Sequence, residues 1–163
     1  MLAGAVRGVT RRMPGRAGTS AKEDAIELLE REHRRFEQLL KDGEETTERA
    51  RQGRRELLAT LTSELNAHEL MEEKVLYPAL QSHPQAREIV LEGYEEHHVA
   101  DLIVAELQQV ATNDEQWGAK FKVLKENIEH HIQEEEGEMF RTARGLFSRE
   151  ELLALADRMR ALR

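Results

Sequence analysis

Cysteine is absent from the 163 residues. Its absence excludes disulfides, thiolate metal sites and cysteine nucleophiles. Proline occurs only three times and aromatic residues make up 4 %. With 34 % charged residues and long patterns of period 3.6, this composition points to an all-helical chain. No apolar run approaches the roughly 20 residues that span a bilayer, so no membrane-embedded part is expected. Excess positive charge is also lacking: the formal net charge is −8, which argues against a nucleic-acid surface.

The length suffices for one domain with a real core. Residues 1–19 differ from the rest, with Arg7, Arg11, Arg12 and Arg16 and no acidic residue. A secretory signal needs a continuous apolar stretch, and Gly4 and Arg7 break the one available. The segment reads as a basic, disordered tail on a cytoplasmic protein, with a mitochondrial transit peptide as the alternative.

Ser20 to Glu23 has the form of a capping box and opens the folded part, residues 20–145. The first helix carries Ile26, Leu29, His33, Phe36 and Leu40 on one stripe, and its connection falls between Gly43 and Gly53. The second carries Leu58, Leu61, Leu65, His68, Glu72, Val75 and Ala79, and Ser82-His83-Pro84 ends it. The third carries Val90, Tyr94, His97, Asp101, Val104 and Leu107. Asn113-Asp114 caps the fourth, with Phe121, Leu124, Ile128, His131, Glu135 and Met139, which Gly145 closes. Ser148 to Glu151 is a second capping box, opening a short terminal helix within residues 146–163. Short connections favour antiparallel neighbours, so the expected fold is an up-down-up-down four-helix bundle with a short C-terminal helix. The terminal helix is expected to cover a bundle edge or to mediate self-association; the oligomeric state is left open.

One histidine lies in each of the four apolar stripes: His33, His68, His97 and His131. Three have a carboxylate four places on, at Glu72, Asp101 and Glu135. Such pairs share a helix face and are costly to bury unless something binds them. A pair of metal ions would satisfy all of them at once. The second and fourth helices repeat one motif: His68, Glu72, Glu73 and Tyr77 match His131, Glu135, Glu136 and Phe140 at equal offsets. The first and third repeat Glu32-His33 and Glu96-His97. The chain therefore reads as two related helical hairpins, which naturally present two metals.

On these residues the chain resembles the haemerythrin-like (HHE cation-binding) family across roughly residues 21–145. The resemblance implies a four-helix bundle around a non-haem di-iron centre, and binding or sensing of dioxygen, small oxidants or iron. It departs from the oxygen-carrying haemerythrins, whose third helix supplies a histidine where this chain has Asp101.

A mixed imidazole and carboxylate set without sulfur suits iron. Equivalent positions in the two half-motifs make Glu72 and Glu135 the bridging carboxylates. His33, His68, His97 and His131 are then terminal ligands, and Asp101 is either a ligand or a hydrogen-bond partner of one. An oxo or hydroxo bridge would bring two iron ions near neutrality. Positions left open would take dioxygen, another diatomic or peroxide. His98, His130 and His83 are expected away from the ligand stripe, with most of Glu69, Glu73, Glu134 and Glu136 solvated and one or two of them orienting ligands. Two other functions compete: an enzyme reducing peroxide or nitric oxide at the same centre, and a metal-free helical interaction module.

Overall fold

The computed structural model of the chain describes residues 22–163. The basic segment 1–19 and Ser20, the expected first cap, lie outside them. Helix α1 spans Ala25–Glu44, and its cap is Asp24, four residues later than the sequence pattern suggests. Asp24 accepts a hydrogen bond from the Glu27 amide, and Glu27 returns one to the Asp24 amide, a reciprocal capping box.

Helix α2 (Arg51–Met71) runs through a π-helical turn (Glu72–Leu76) into α3 (Tyr77–Gln81). A short 3-10 turn at Pro84–Ala86 leads into α4 (Arg87–Gln109). Helix α5 (Glu115–Glu134), capped by Asp114, passes through a second π turn (Glu135–Met139) into α6 (Phe140–Leu146). Ser148 and Glu151 form the second capping box and open α7 (Arg149–Arg160). The result is four antiparallel helical rods and a short terminal helix. No strand occurs among the described residues.

The π turns are absent from any period-3.6 reading. Each begins on a candidate bridging carboxylate: the Tyr77 amide bonds to the Glu72 carbonyl, and the Phe140 amide to the Glu135 carbonyl. In a regular α-helix nine residues end about 180° from their start, so Tyr77 would face away from His68. The wider turn, with its five-residue hydrogen-bond step, brings Tyr77 and Phe140 back inward.

A layer of histidine and glutamate divides the apolar core in two. Ile26, Leu29, Met71, Leu76, Tyr77, Val90 and Phe140 fill one half, where Leu152, Leu155 and Met159 of α7 join them. The terminal helix thus covers one end of the bundle, held also by Arg149 and Arg144 on the fully buried Asp24 at 2.5 and 3.2 Å. Phe36, Leu40, Leu61, Trp117, Phe121 and Leu124 fill the other half. There the buried Arg54 ties two connections together. It donates to Thr46 Oγ1 at 2.9 Å and the Thr112 carbonyl at 2.7 Å, and stacks 4.4 Å above the Trp117 ring. Among the described residues, no helix is long and apolar enough to cross a membrane.

Gly43 lies inside α1, where it lets the Phe121 ring come against the backbone. A Cβ there would overlap that ring. Gly43→Ala is therefore expected to destabilise the fold by about 1–3 kcal/mol, the usual cost of overpacking. Chemical denaturation of the metal-free protein measures it.

Candidate metal centre

Six side chains from the four rods meet in the dividing layer: His33 from α1, His68 and Glu72 from the second rod, His97 from α4, and His131 and Glu135 from the last rod. All six are buried. His68 Nε2 lies 3.0 Å from Glu72 Oε1, and His97 Nε2 lies 3.2 Å from Glu72 Oε2. Glu135 Oε2 lies 3.3 Å from His33 Nε2 and 3.4 Å from His131 Nε2. The Nε2 atoms of His33 and His68 approach to 3.2 Å, as do those of His97 and His131.

Both Glu72 oxygens and Glu135 Oε2 are buried without a hydrogen-bond partner, despite these near approaches. These carboxylate oxygens face the imidazoles, whose Nε2 atoms lie in pairs within hydrogen-bond distance of each other. Two ligands about 2.1 Å from one ion and at right angles lie about 3 Å apart, the spacing found here. Two overlapping sets result: His33, His68, Glu72 and Glu135, and Glu72, His97 and His131. Glu72 offers one oxygen toward each pair of histidines, as a bridging carboxylate must.

Each imidazole is held from behind by a carboxylate on another rod. His33 Nδ1 donates to Glu136 at 2.9 Å, and His97 Nδ1 to Glu73 at 3.0 Å. His68 Nδ1 donates to Glu32 at 3.0 Å, and His131 Nδ1 to Glu96 at 2.7 Å. A neutral imidazole donating from Nδ1 presents its Nε2 lone pair to the centre, which is how a metal-ligating histidine is oriented. The network follows the internal repeat. The first residue of each Glu-His pair serves the next rod, and the second glutamate of each His-x-x-x-Glu-Glu run serves the other hairpin.

The hemerythrin HHE cation binding domain family matches residues 24–143, most of the chain. The chain belongs to this family. Among solved structures, a hemerythrin HHE cation binding domain-containing protein from Mycobacterium kansasii superposes with a TM-score of 0.74 at 23 % identity. The match covers 85 % of this chain and 83 % of that one, and shows a shared fold. Comparison with curated proteins finds no significant match. Cation binding by this hemerythrin-family chain thus rests on the family and on two sets of donors of the right chemistry.

Asp101 is exposed and is not in either set. The buried stripe of α4 steps from His97 by three to Ala100 and then to Val104, which leaves the residue four places on outside it. His98 and His130 are exposed, and His83 is half-buried, edge-on to Phe147. Of the four acidic neighbours, Glu73 and Glu136 are the two that face inward onto histidines. Sequence reasoning missed Glu32 and Glu96 as partners of His68 and His131, although their repeated place before a histidine was a visible signal.

Tyr77 and Phe140 break the symmetry of the two halves. Phe140 stacks on His33 at 5.5 Å, and Tyr77 stacks on His97 at 5.4 Å. The Tyr77 hydroxyl donates to Glu135 Oε1 at 3.0 Å and lies 3.2 Å from His97 Nε2. Gly93 makes room for it, since a Cβ there would sit 2.6 Å from that hydroxyl. Burial, then the charges of Glu135 and Glu72, push the Tyr77 phenol above its usual range, so it stays protonated at neutral pH. Beside the centre lies a cavity of about 20 Å³, walled by Phe36, Leu65, Ala100 and Ile128 together with the histidines. That volume suits one water-sized molecule.

Without a metal, protons take its place. Burial works to lower the His68 pKa, but Glu72 and Glu32 outweigh it and raise it to about 10. His97 is raised to about 9 in the same way, burial being outweighed by the close approach and charge of Glu72. Glu72 is held well below the usual carboxylate range: burial alone would raise it, and His68 and His97 overcome that.

Folded-state values above the unfolded value of about 6.5 give stability that is complete below that pH and is lost as pH rises. The metal-free protein should therefore weaken as pH climbs through about 9 and 10, a trend that denaturation midpoints against pH will show. Metal binding needs neutral imidazole, so loading at pH 7 should release about two protons per chain, measured by calorimetry in buffers of different ionisation enthalpy.

Proposed function

We propose that the chain is a non-haem di-iron protein that binds or senses a small oxygen-containing ligand, dioxygen or peroxide, or another diatomic. One observation carries this reading: three buried carboxylate oxygens without hydrogen-bond partners face four imidazole Nε2 atoms in two sets that share Glu72. Two divalent ions would more than neutralise Glu72 and Glu135, leaving charge for a further anion, and donors of this hardness without sulfur favour iron. Bound irons would supply redox chemistry and open positions for the ligand. The cavity beside the centre has room for a ligand of about the size of one water, which favours a small ligand.

The Tyr77 hydroxyl favours a second reading, reduction of peroxide. Each peroxide would take two electrons from an external reductant and two protons to give two waters. A phenol that stays protonated beside the centre can hold a proton at Tyr77 Oη for such a ligand.

Anaerobic loading with Fe(II) is expected to give about two irons per chain, the count for paired sites sharing a carboxylate. Charge-transfer absorption should appear on exposure to air or peroxide. His68→Ala should lower the iron count, and chelation should reduce the melting temperature, because an ion that binds only the folded chain stabilises it. Failure to take up iron, or melting indifferent to a chelator, would sink the reading. Tyr77→Phe should keep the iron count; loss of peroxide turnover in that variant separates the second reading from the first.

A further inference from the structure

Four carboxylates bound the centre on its outer side: Glu32, Glu73, Glu96 and Glu136. Two of them meet a fixed cation there. Arg163 pairs with Glu32 Oε1, and Arg34 with Glu136 Oε1. The relation that exchanges the two hairpins carries Glu32 onto Glu96, since each precedes a histidine of the centre and grips the histidine of the next rod. At Glu96 the place of the guanidinium is taken by other chemistry. Glu96 Oε1 lies 3.5 Å from Nε2 of His130, which in turn lies 3.3 Å from Glu134 Oε1.

One ligand atom from each of these three residues falls within 4.8 Å of the others. Among the described residues, neither Glu96 nor Glu134 pairs with lysine or arginine. The His130 side chain is 60 % exposed and that of Glu134 is 33 % exposed, so the set opens to solvent. It shares Glu134 with a groove of about 580 Å³, where Glu88, Glu92, Glu134 and Glu138 stand against the single Arg141.

We propose that Glu96, His130 and Glu134 bind a first-row divalent cation at the surface, as the station from which the buried centre is filled. One imidazole and two carboxylates suit such an ion and leave positions for water, so the ion exchanges readily. The counterpart position beside Glu32 already holds a cation, in the form of Arg163. Arginines pair with the outer carboxylates of His33 and His68, whereas the outer carboxylate of His131, Glu96, contacts the surface set instead. Glu96 holds His131 Nδ1 with one oxygen and faces the surface set with the other. The filling role rests on the buried centre being a metal site; the surface site does not.

Titration of the full chain with Mn(II), read by paramagnetic broadening of imidazole NMR signals, tests the site. Broadening at His130 should persist in His68→Ala/His97→Ala, where both buried sets have lost a ligand. Adding Glu134→Gln should weaken that binding by about tenfold, the range for a group supporting a metal. Uptake of Fe(II) into a chelator-resistant form should slow by a similar factor in Glu134→Gln alone, with the final stoichiometry unchanged. His130 signals that stay sharp at millimolar Mn(II) overturn the site, and an unchanged uptake rate overturns its filling role. Broadening at His130 in a chain whose centre never takes iron keeps the surface site and overturns the di-iron reading.

Discussion

Three glutamate oxygens without hydrogen-bond partners, sealed in the middle of a helical bundle, set the terms for the rest of the structure. Unpaired buried charge is among the most expensive things a fold can contain. Four imidazoles face these oxygens, and either protons or a cation must sit between them. The same arrangement that raises His68 and His97 and lowers Glu72 in the metal-free chain suits a cation. The apolar core is split around this layer, so packing on both sides holds the six donors in place.

Outward of that layer, symmetry and its breaking carry the chemistry. Each histidine is aimed by a glutamate from another rod, so no single helix sets its own ligand. The two halves then diverge. One has Phe140 and arginines on its outer carboxylates; the other has the Tyr77 hydroxyl and an exposed imidazole beside Glu96. A hydrogen-bond donor and a solvent-facing imidazole therefore belong to the same half of the centre.

Much of this was legible along the chain. The four stripes, the caps at Asp114 and Ser148, and the histidines with Glu72 and Glu135 follow from periodicity and repetition. Asp101 shows the limit of spacing arguments. Residues three and four apart share a face about equally well, and only the packing of α4 chose Ala100 over Asp101. Which acid grips which histidine could not be read from spacing, because the partners of Glu32, Glu73, Glu96 and Glu136 lie on other rods, 24 to 103 residues away.

By itself the sequence determined the helical class, the number of rods and the six side chains that share the inward stripes, because these depend on residue type and on a period that local backbone geometry imposes. The tertiary structure decided what local geometry cannot express. It placed two π turns where Glu72 and Glu135 must point inward together with Tyr77 and Phe140. It also decided which carboxylate grips which histidine and which face stays open to solvent. Those choices are made between helices, where a side chain's partner is set by the packing of four rods and not by its neighbours in the chain.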